Sequence, residues 1–152
     1  MTLADSGGVH IEVAHPSRTL NTDHLRLLIH IVADGEGMPI IDVSLVLTDH
    51  ATVLELNQSY LQHDYHTDVL SFSLTEAPED GLDGEVYVDL DTAAERCVEF
   101  GTSYEAEALR YAIHGVLHLM GYDDATDAER VTMRRLEDQY LGQLATLLGD
   151  TQ

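Results

Sequence analysis

Lysine is absent from this 152-residue sequence, and so is tryptophan. All seven fixed positive charges are arginines: Arg18, Arg26, Arg96, Arg110, Arg130, Arg134 and Arg135. The single cysteine, Cys97, excludes an internal disulfide framework and a cysteine-rich zinc module. Three prolines leave little room for extended linkers. No apolar run approaches the roughly 18–20 residues of a membrane span. The opening residues Met1–Ser6 do not read as a signal peptide. These absences predict a cytoplasmic chain with no membrane partner, folded as one domain over residues 1–152. A chain this long buries roughly 68–70% of its unfolded surface, and a hydrophobic fraction of 44% supplies the core.

Acid dominates what remains. Twenty-eight Asp and Glu against seven arginines give a formal net charge of −21. The acids are spread along the whole chain instead of forming a tail, and the hydrophobic pattern survives among them. That is the composition expected of a protein kept soluble in a salt-rich cytosol, with a halophilic acidic surface. The competing reading is an acidic protein with a cationic partner. Such a balance ordinarily argues against a polyanionic partner, because phosphate binding gains much of its free energy from counterion release. Molar salt shortens the Debye length to about 3 Å and would confine that repulsion to short range.

Periodicity outlines the elements. Val9–Val13 alternates as a strand, and residues 21–33 place Leu25, Leu28, Ile29 and Val32 at helical spacing before Gly35 and Gly37. Residues 42–48 read as a strand and residues 49–60 as a helix with Val53, Leu54 and Leu56 inward. Two further strands, 69–74 and 85–89, flank an acidic Pro- and Gly-containing loop over 76–84. A shorter helix over 91–100 stops at Gly101, with Cys97 as a small core residue. Thr102-x-x-Glu105 and Thr126-x-x-Glu129 read as capping boxes opening two final helices. Strands early and helices late predict an α+β fold: a single mixed β-sheet of about four strands with covering helices.

The chemistry lies in residues 103–124, SYEAEALRYAIHGVLHLMGYDD. Leu109, Ala112, Ile113, Val116 and Met120 share one side of a helix, the expected core stripe. His114 and His118, at i and i+4, are neighbours on a different face, alongside Tyr111. Gly121 ends the helix, and the chain turns at once into Tyr122-Asp123-Asp124. Two imidazoles plus a carboxylate returned by the turn make a three-ligand site, which leaves a fourth zinc position open for water. Zinc proteases with His-Glu-x-x-His share the spacing and use the glutamate as general base. Here that place is Gly115, which moves no proton, so the spacing supports metal and speaks against a protease.

The run His114-Gly115-Val116-Leu117-His118-Leu119-Met120-Gly121-Tyr122-Asp123-Asp124 resembles the H-G-x-L-H-L-x-G-Y-D-H signature of the YbeY family of endoribonucleases and rRNA maturation factors. Thr67-Asp68-Val69-Leu70-Ser71-Phe72 matches its T-D-V-L-S-F strand, Gly84-Glu85-Val86 stands where the family has G-D-I, and Leu56-Asn57 fits ahead of both. The likeness implies a zinc-protease-like metal helix and loop, and one zinc ion (Zn2+) per chain on His114, His118 and Asp124. It implies metal-dependent cleavage of single-stranded RNA in 16S rRNA 3′-end maturation and ribosome quality control, with ribosomal RNA and the small ribosomal subunit as partners. Two rivals use the same site: a metal-dependent hydrolase of peptides or small molecules, and a non-catalytic assembly factor with structural zinc.

Two positions depart from the family pattern. Asp124 replaces the usual third histidine; its oxygen binds zinc at about 2.0–2.2 Å, much as imidazole does. It leaves Asp123 as a partner that orients a ligand or as a base. Leu61 stands where the family has an arginine, and His63 and Tyr65 where it has lysines, so the loop over 61–66 lacks fixed positive charge. His63 and His66, with Thr67, Asp68 and Ser71, are the candidates for lining a substrate cleft. The remaining histidines, His10, His15, His24, His30 and His50, show no metal-binding spacing.

Overall fold

The structure, a computed structural model, describes residues 8–60, 69–73 and 81–149. Leu61, His63, Tyr65, His66, Thr67 and Asp68 lie outside the described residues, as do Leu74 at the end of an expected strand and residues 76–80 of the expected acidic loop.

Nine elements follow one another: β1 (Val9–Val13), α1 (Thr22–Gly35), β2 (Ile40–Thr48), α2 (His50–Tyr60), β3 (Val69–Ser73), β4 (Leu82–Asp89), α3 (Leu90–Phe100), α4 (Tyr104–Leu119) and α5 (Asp127–Leu147). The four strands form one mixed sheet in the order β1-β2-β4-β3, so the α+β expectation holds. β1, β2 and β4 are parallel, with Val9 opposite Val43 and Val43 opposite Gly84. β3 runs antiparallel to β4, with Ser71 opposite Val86. Parallel neighbours need a crossover, and α1 supplies it between β1 and β2.

Alternation decides which side of the sheet is covered. Val43, Leu45 and Leu47 of β2 and Leu82, Val86 and Val88 of β4 are fully buried, while the alternate residues Ser44, Val46, Asp83, Glu85 and Tyr87 are partly exposed. They join Leu25, Leu28, Ile29 and Val32 of α1, Ile113, Val116 and Leu117 of α4, and Met133, Leu136 and Tyr140 of α5 in one core. In α2 only Val53 of the three expected inward residues is fully buried. Leu54 and Leu56 are half-buried, and the buried position one turn on is Asn57. β4 begins at Leu82, inside the expected loop, because its first residues pair with β2.

Two expectations for α4 are corrected. The core stripe is far wider than one side: Ala108, Tyr111, Gly115, Leu117 and Leu119 are buried too, while Met120 is only half-buried. From Glu107 to Leu119 the only residues not buried are Arg110, His114 and His118, one polar stripe at successive i+4 steps. The reason is tertiary, since β3, β4, α1, α3 and α5 all pack against this helix. Its cap is Ser103, which accepts from the Ala106 N–H at 3.0 Å, and not Thr102. The Thr102 N–H is already committed to the Cys97 carbonyl at the end of α3, and its hydroxyl donates to Glu107. Cys97 itself is buried, as expected.

Candidate metal centre

Gly115 sets how closely α4 approaches the sheet. A β-carbon there would stand 2.5 Å from Val86 Cγ1 and 3.0 Å from both Ser71 Oγ and Val69 Cγ2. The glutamate of a zinc protease therefore has no room at this place. The Ser71 hydroxyl donates to the Gly115 carbonyl at 2.8 Å and fastens β3 to the middle of the helix.

The turn after α4 is built to return a carboxylate. Gly121 adopts φ 104°, a conformation that side chains with a β-carbon resist, and the Tyr122 N–H bonds back to the Leu117 carbonyl at 3.0 Å. From the other side, the expected capping box closes α5: Thr126 Oγ1 accepts from the Glu129 N–H, and Glu129 Oε1 accepts from the N–H groups of Ala125 and Thr126. Arg130 donates to the carbonyls of Asp124 and Ala125 at 3.1 and 3.0 Å. The Tyr122 hydroxyl donates to Glu36 at the end of α1 at 2.6 Å, and the second oxygen of Glu36 accepts from the Tyr140 hydroxyl. Asp124 is thus held between α1, α4 and α5.

Three donor groups meet here. His114 Nε2 lies 3.0 Å from Asp124 Oδ2, His118 Nε2 lies 3.6 Å from Asp124 Oδ1, and the two Nε2 atoms are 3.1 Å apart. Zinc bonds of about 2.0–2.2 Å at a tetrahedral angle put donor atoms about 3.3 Å apart, so the spacing is that of a shared ion.

Behind His114 stands Glu137 of α5, buried, with its Oε2 2.8 Å from His114 Nδ1. Its other oxygen accepts from Arg110 Nη1 at 2.9 Å, and Arg110 Nη2 donates to Asp138 at 2.7 Å. This carboxylate fixes the proton of His114 on Nδ1 and leaves the Nε2 lone pair facing Asp124. A lone pair and a carboxylate 3.0 Å apart repel unless a cation or a proton lies between them. Burial of the ring opposes its protonation, yet the hydrogen bond and charge of Glu137, reinforced by Asp124, outweigh burial and raise the pKa of His114 above its ordinary 6.5. The donor set fits a divalent ion by chemistry as well as by distance.

The family profile described as Endoribonuclease YbeY matches residues 12–145. The chain belongs to the YbeY endoribonuclease family. The Endoribonuclease YbeY of Salinibacter ruber is 60% identical to it over 138 residues, 86% of this chain and 88% of that protein. The YbeY of Chlorobaculum tepidum is 38% identical over 127 residues, 84% of this chain and 91% of its own. Among solved structures, the solution structure of TM1509 from Thermotoga maritima superposes with a TM-score of 0.63 at 27% identity, covering 93% of this chain and 92% of that one.

Within this chain the structure unites three of the site residues expected from sequence, His114, His118 and Asp124. Asp123 is exposed and makes no hydrogen bond or ion pair with a described residue. The hydrogen bond that orients a ligand comes instead from Glu137, which sequence reasoning missed. Ser71 is engaged with the Gly115 carbonyl. Tyr111, expected on the histidine face, is buried in the core. The only sequence signal for Glu137 is its spacing within α5: it falls beside Leu136 and three residues from Tyr140, on a stretch where an acid would otherwise point to water. Four other histidines find carboxylates elsewhere: His10 with Asp42, His15 with Asp91 at 2.8 Å, His24 with Glu105 and His50 with Asp89 at 2.6 Å.

Proposed function

We propose that this chain is a zinc-dependent endoribonuclease that cuts single-stranded RNA, acting in 16S rRNA 3′-end maturation and ribosome quality control in the cytoplasm. Its partners in that reading are ribosomal RNA and the small ribosomal subunit. One zinc ion per chain is held by His114, His118 and Asp124 within a single domain. The observation that carries the reading is the spacing of their donor atoms, 3.0, 3.1 and 3.6 Å, with the His114 lone pair turned inward by Glu137. Membership of the endoribonuclease family supports RNA as substrate.

When bound, such an ion supplies Lewis acidity, polarising a phosphoryl oxygen and lowering the pKa of water at the site. The chain's own residues do the rest. Glu137 holds the His114 ring at its angle, and the Glu36–Tyr122 hydrogen bond holds the loop that presents Asp124. Gly115 keeps that place on the helix free of a group that exchanges protons, which leaves exposed Asp123, or His63 or His66 of the sequence segment over 61–66, to take up a proton. The −21 charge suits a salt-rich cytosol, where screening lets an acidic enzyme approach RNA.

The test is incubation of the purified protein with single-stranded RNA, with and without chelator, followed by end-group and elemental analysis. New RNA termini that require a stoichiometric transition metal are expected. Metal-free protein from chelator-free purification, or cleavage indifferent to chelator, overturns the reading.

A further inference from the structure

Four of the seven cations stand on the two helices that frame the metal centre: Arg110 on α4, and Arg130, Arg134 and Arg135 on α5. Most arginines are occupied. Arg18 pairs with Asp91, Arg26 donates to the Val9 carbonyl, Arg110 binds Glu137 and Asp138, and Arg130 binds Asp127. Arg134 and Arg135 are exposed, and neither forms a hydrogen bond or ion pair with a described residue. That is unusual in a chain carrying 28 acids for seven arginines.

Helical spacing puts residues 130, 131, 134, 135 and 138 on one face of α5. Arg130, Val131, Arg134, Arg135 and Asp138 line an open hollow of about 480 Å³ there. Val131, 68% exposed, is its apolar patch. The hollow adjoins the metal centre on two sides. Arg130 grips the carbonyl of Asp124, and Asp138 shares Arg110 with Glu137, the partner of His114. Planar guanidinium groups match phosphate with two parallel hydrogen bonds, and an exposed valine suits the face of a ribose or base.

We propose that this face of α5 is the docking surface for the backbone of single-stranded RNA, with Arg134 and Arg135 each engaging a phosphate and leading the strand to the metal centre. The inference rests on the endoribonuclease reading and names where its substrate lies. It also assigns phosphate binding to cations on a helix, since the segment over residues 61–66 carries none beyond its histidines.

Counterion release sets the expected size. Each phosphate contact on a single strand contributes a salt slope of about 0.7, so the counterion-release part of the affinity is about eightfold larger at about 0.05 M than at about 1 M salt, where the guanidinium hydrogen bonds remain. The experiment measures fluorescence anisotropy of a short labelled single-stranded RNA, together with KM and kcat for its cleavage, on the zinc-loaded protein across that salt range. R134Q and R135Q should each weaken binding and raise KM about eightfold at the low-salt end, the double variant about sixtyfold, with the slope reduced by about 0.7 and 1.4. Zinc content, melting temperature and kcat should change little, because neither side chain makes a hydrogen bond or ion pair with a described residue. R134K/R135K should restore most of the affinity. R96Q, which removes an arginine on α3 that also makes no ion pair with a described residue, should have little effect. Unchanged affinity and slope in R134Q/R135Q, or an equal loss in R96Q, overturns the docking surface. Absence of chelator-sensitive cleavage by the unmodified protein overturns the endoribonuclease reading instead, and the anisotropy arm still reports on the arginines.

Discussion

Replacing Glu137 with glutamine keeps the shape of the side chain and removes the property on which the metal centre depends. The carboxylate accepts twice, from His114 Nδ1 at 2.8 Å and from Arg110 Nη1 at 2.9 Å. An amide has one oxygen and one NH2 group, so one of the two donors must face N–H groups. If the NH2 faces His114, the ring's proton moves to Nε2 and blocks the lone pair an ion needs; if it faces Arg110, a buried donor pair is opposed. Loss of such an orienting partner costs 10- to 100-fold in metal affinity, or about 1.4–2.7 kcal/mol. Arg110 still holds Asp138, and the cost to folding is of similar size: losing one charged hydrogen bond costs about 1.5–3 kcal/mol. For a chain of this size that lowers the melting temperature of chelator-treated protein by roughly 3–12 °C.

The assay is zinc titration against a competing chromogenic chelator from pH 5.5 to pH 8, the range where an imidazole titrates. Because Glu137 helps to raise the His114 pKa above 6.5, the protonated ring stabilises the metal-free fold below pH 6.5, a contribution lost as pH rises through the raised pKa. Zinc uses the same lone pair, so its affinity should climb across that window in the native protein. In E137Q the climb should begin at lower pH. A variant that binds zinc within threefold of the native protein at pH 8, with the same pH profile, would refute the positioning role and leave Glu137 a purely structural acid.

The ligand set is tested by Asp124→Ala, which should lose zinc and RNA cleavage together, and by Asp124→His, which should keep zinc. Asp123→Ala, on an exposed residue outside the hydrogen-bonded cluster, should retain the ion; an emptied site in that variant with zinc kept in Asp124→Ala would move the ligand by one residue. Gly115→Ala forces a methyl group to within 2.5 Å of Val86 and should cost about 1–3 kcal/mol, read as a lower denaturant midpoint; an unchanged midpoint would mean α4 shifts freely on the sheet. The stability of a −21 chain should rise from low to molar potassium chloride as self-repulsion is screened, and a melting temperature flat over that range would count against a salt-adapted surface. At the far end of the sheet, burial opposes ionisation of Asp91, but the His50 N–H, His15 and Arg18 together hold its pKa down to about 2. Its stabilisation is therefore present above pH 3.8 and lost as pH falls toward 2, so Asp91→Asn should lower the melting temperature at pH 7 and the difference should close in acid.

Local signals in the sequence were sufficient where local physics decides. β1 spans Val9–Val13 as alternation predicts, α1 is capped by Asn21 and buries Leu25, Leu28, Ile29 and Val32, and α5 opens on the Thr126–Glu129 box. The pair His114 and His118 was legible for the same reason, since i and i+4 share a helix face whatever surrounds it. Family register then pointed to Asp124, and the structure brings its carboxylate to them. Tertiary packing decided the rest. A wide buried surface on α4 cannot be read from a stripe, because it depends on how many neighbours the helix acquires, and five elements surround it. The narrow clearance at Gly115 exists only because β3 and β4 lie beneath that turn. Glu137 follows His114 by 23 residues, and nothing in the intervening sequence links them. Their hydrogen bond forms because α5 folds back across α4 with Met133, Leu136 and Tyr140 in the shared core, which carries Glu137 into a low-dielectric position where, among the described residues, an imidazole and a guanidinium are its partners.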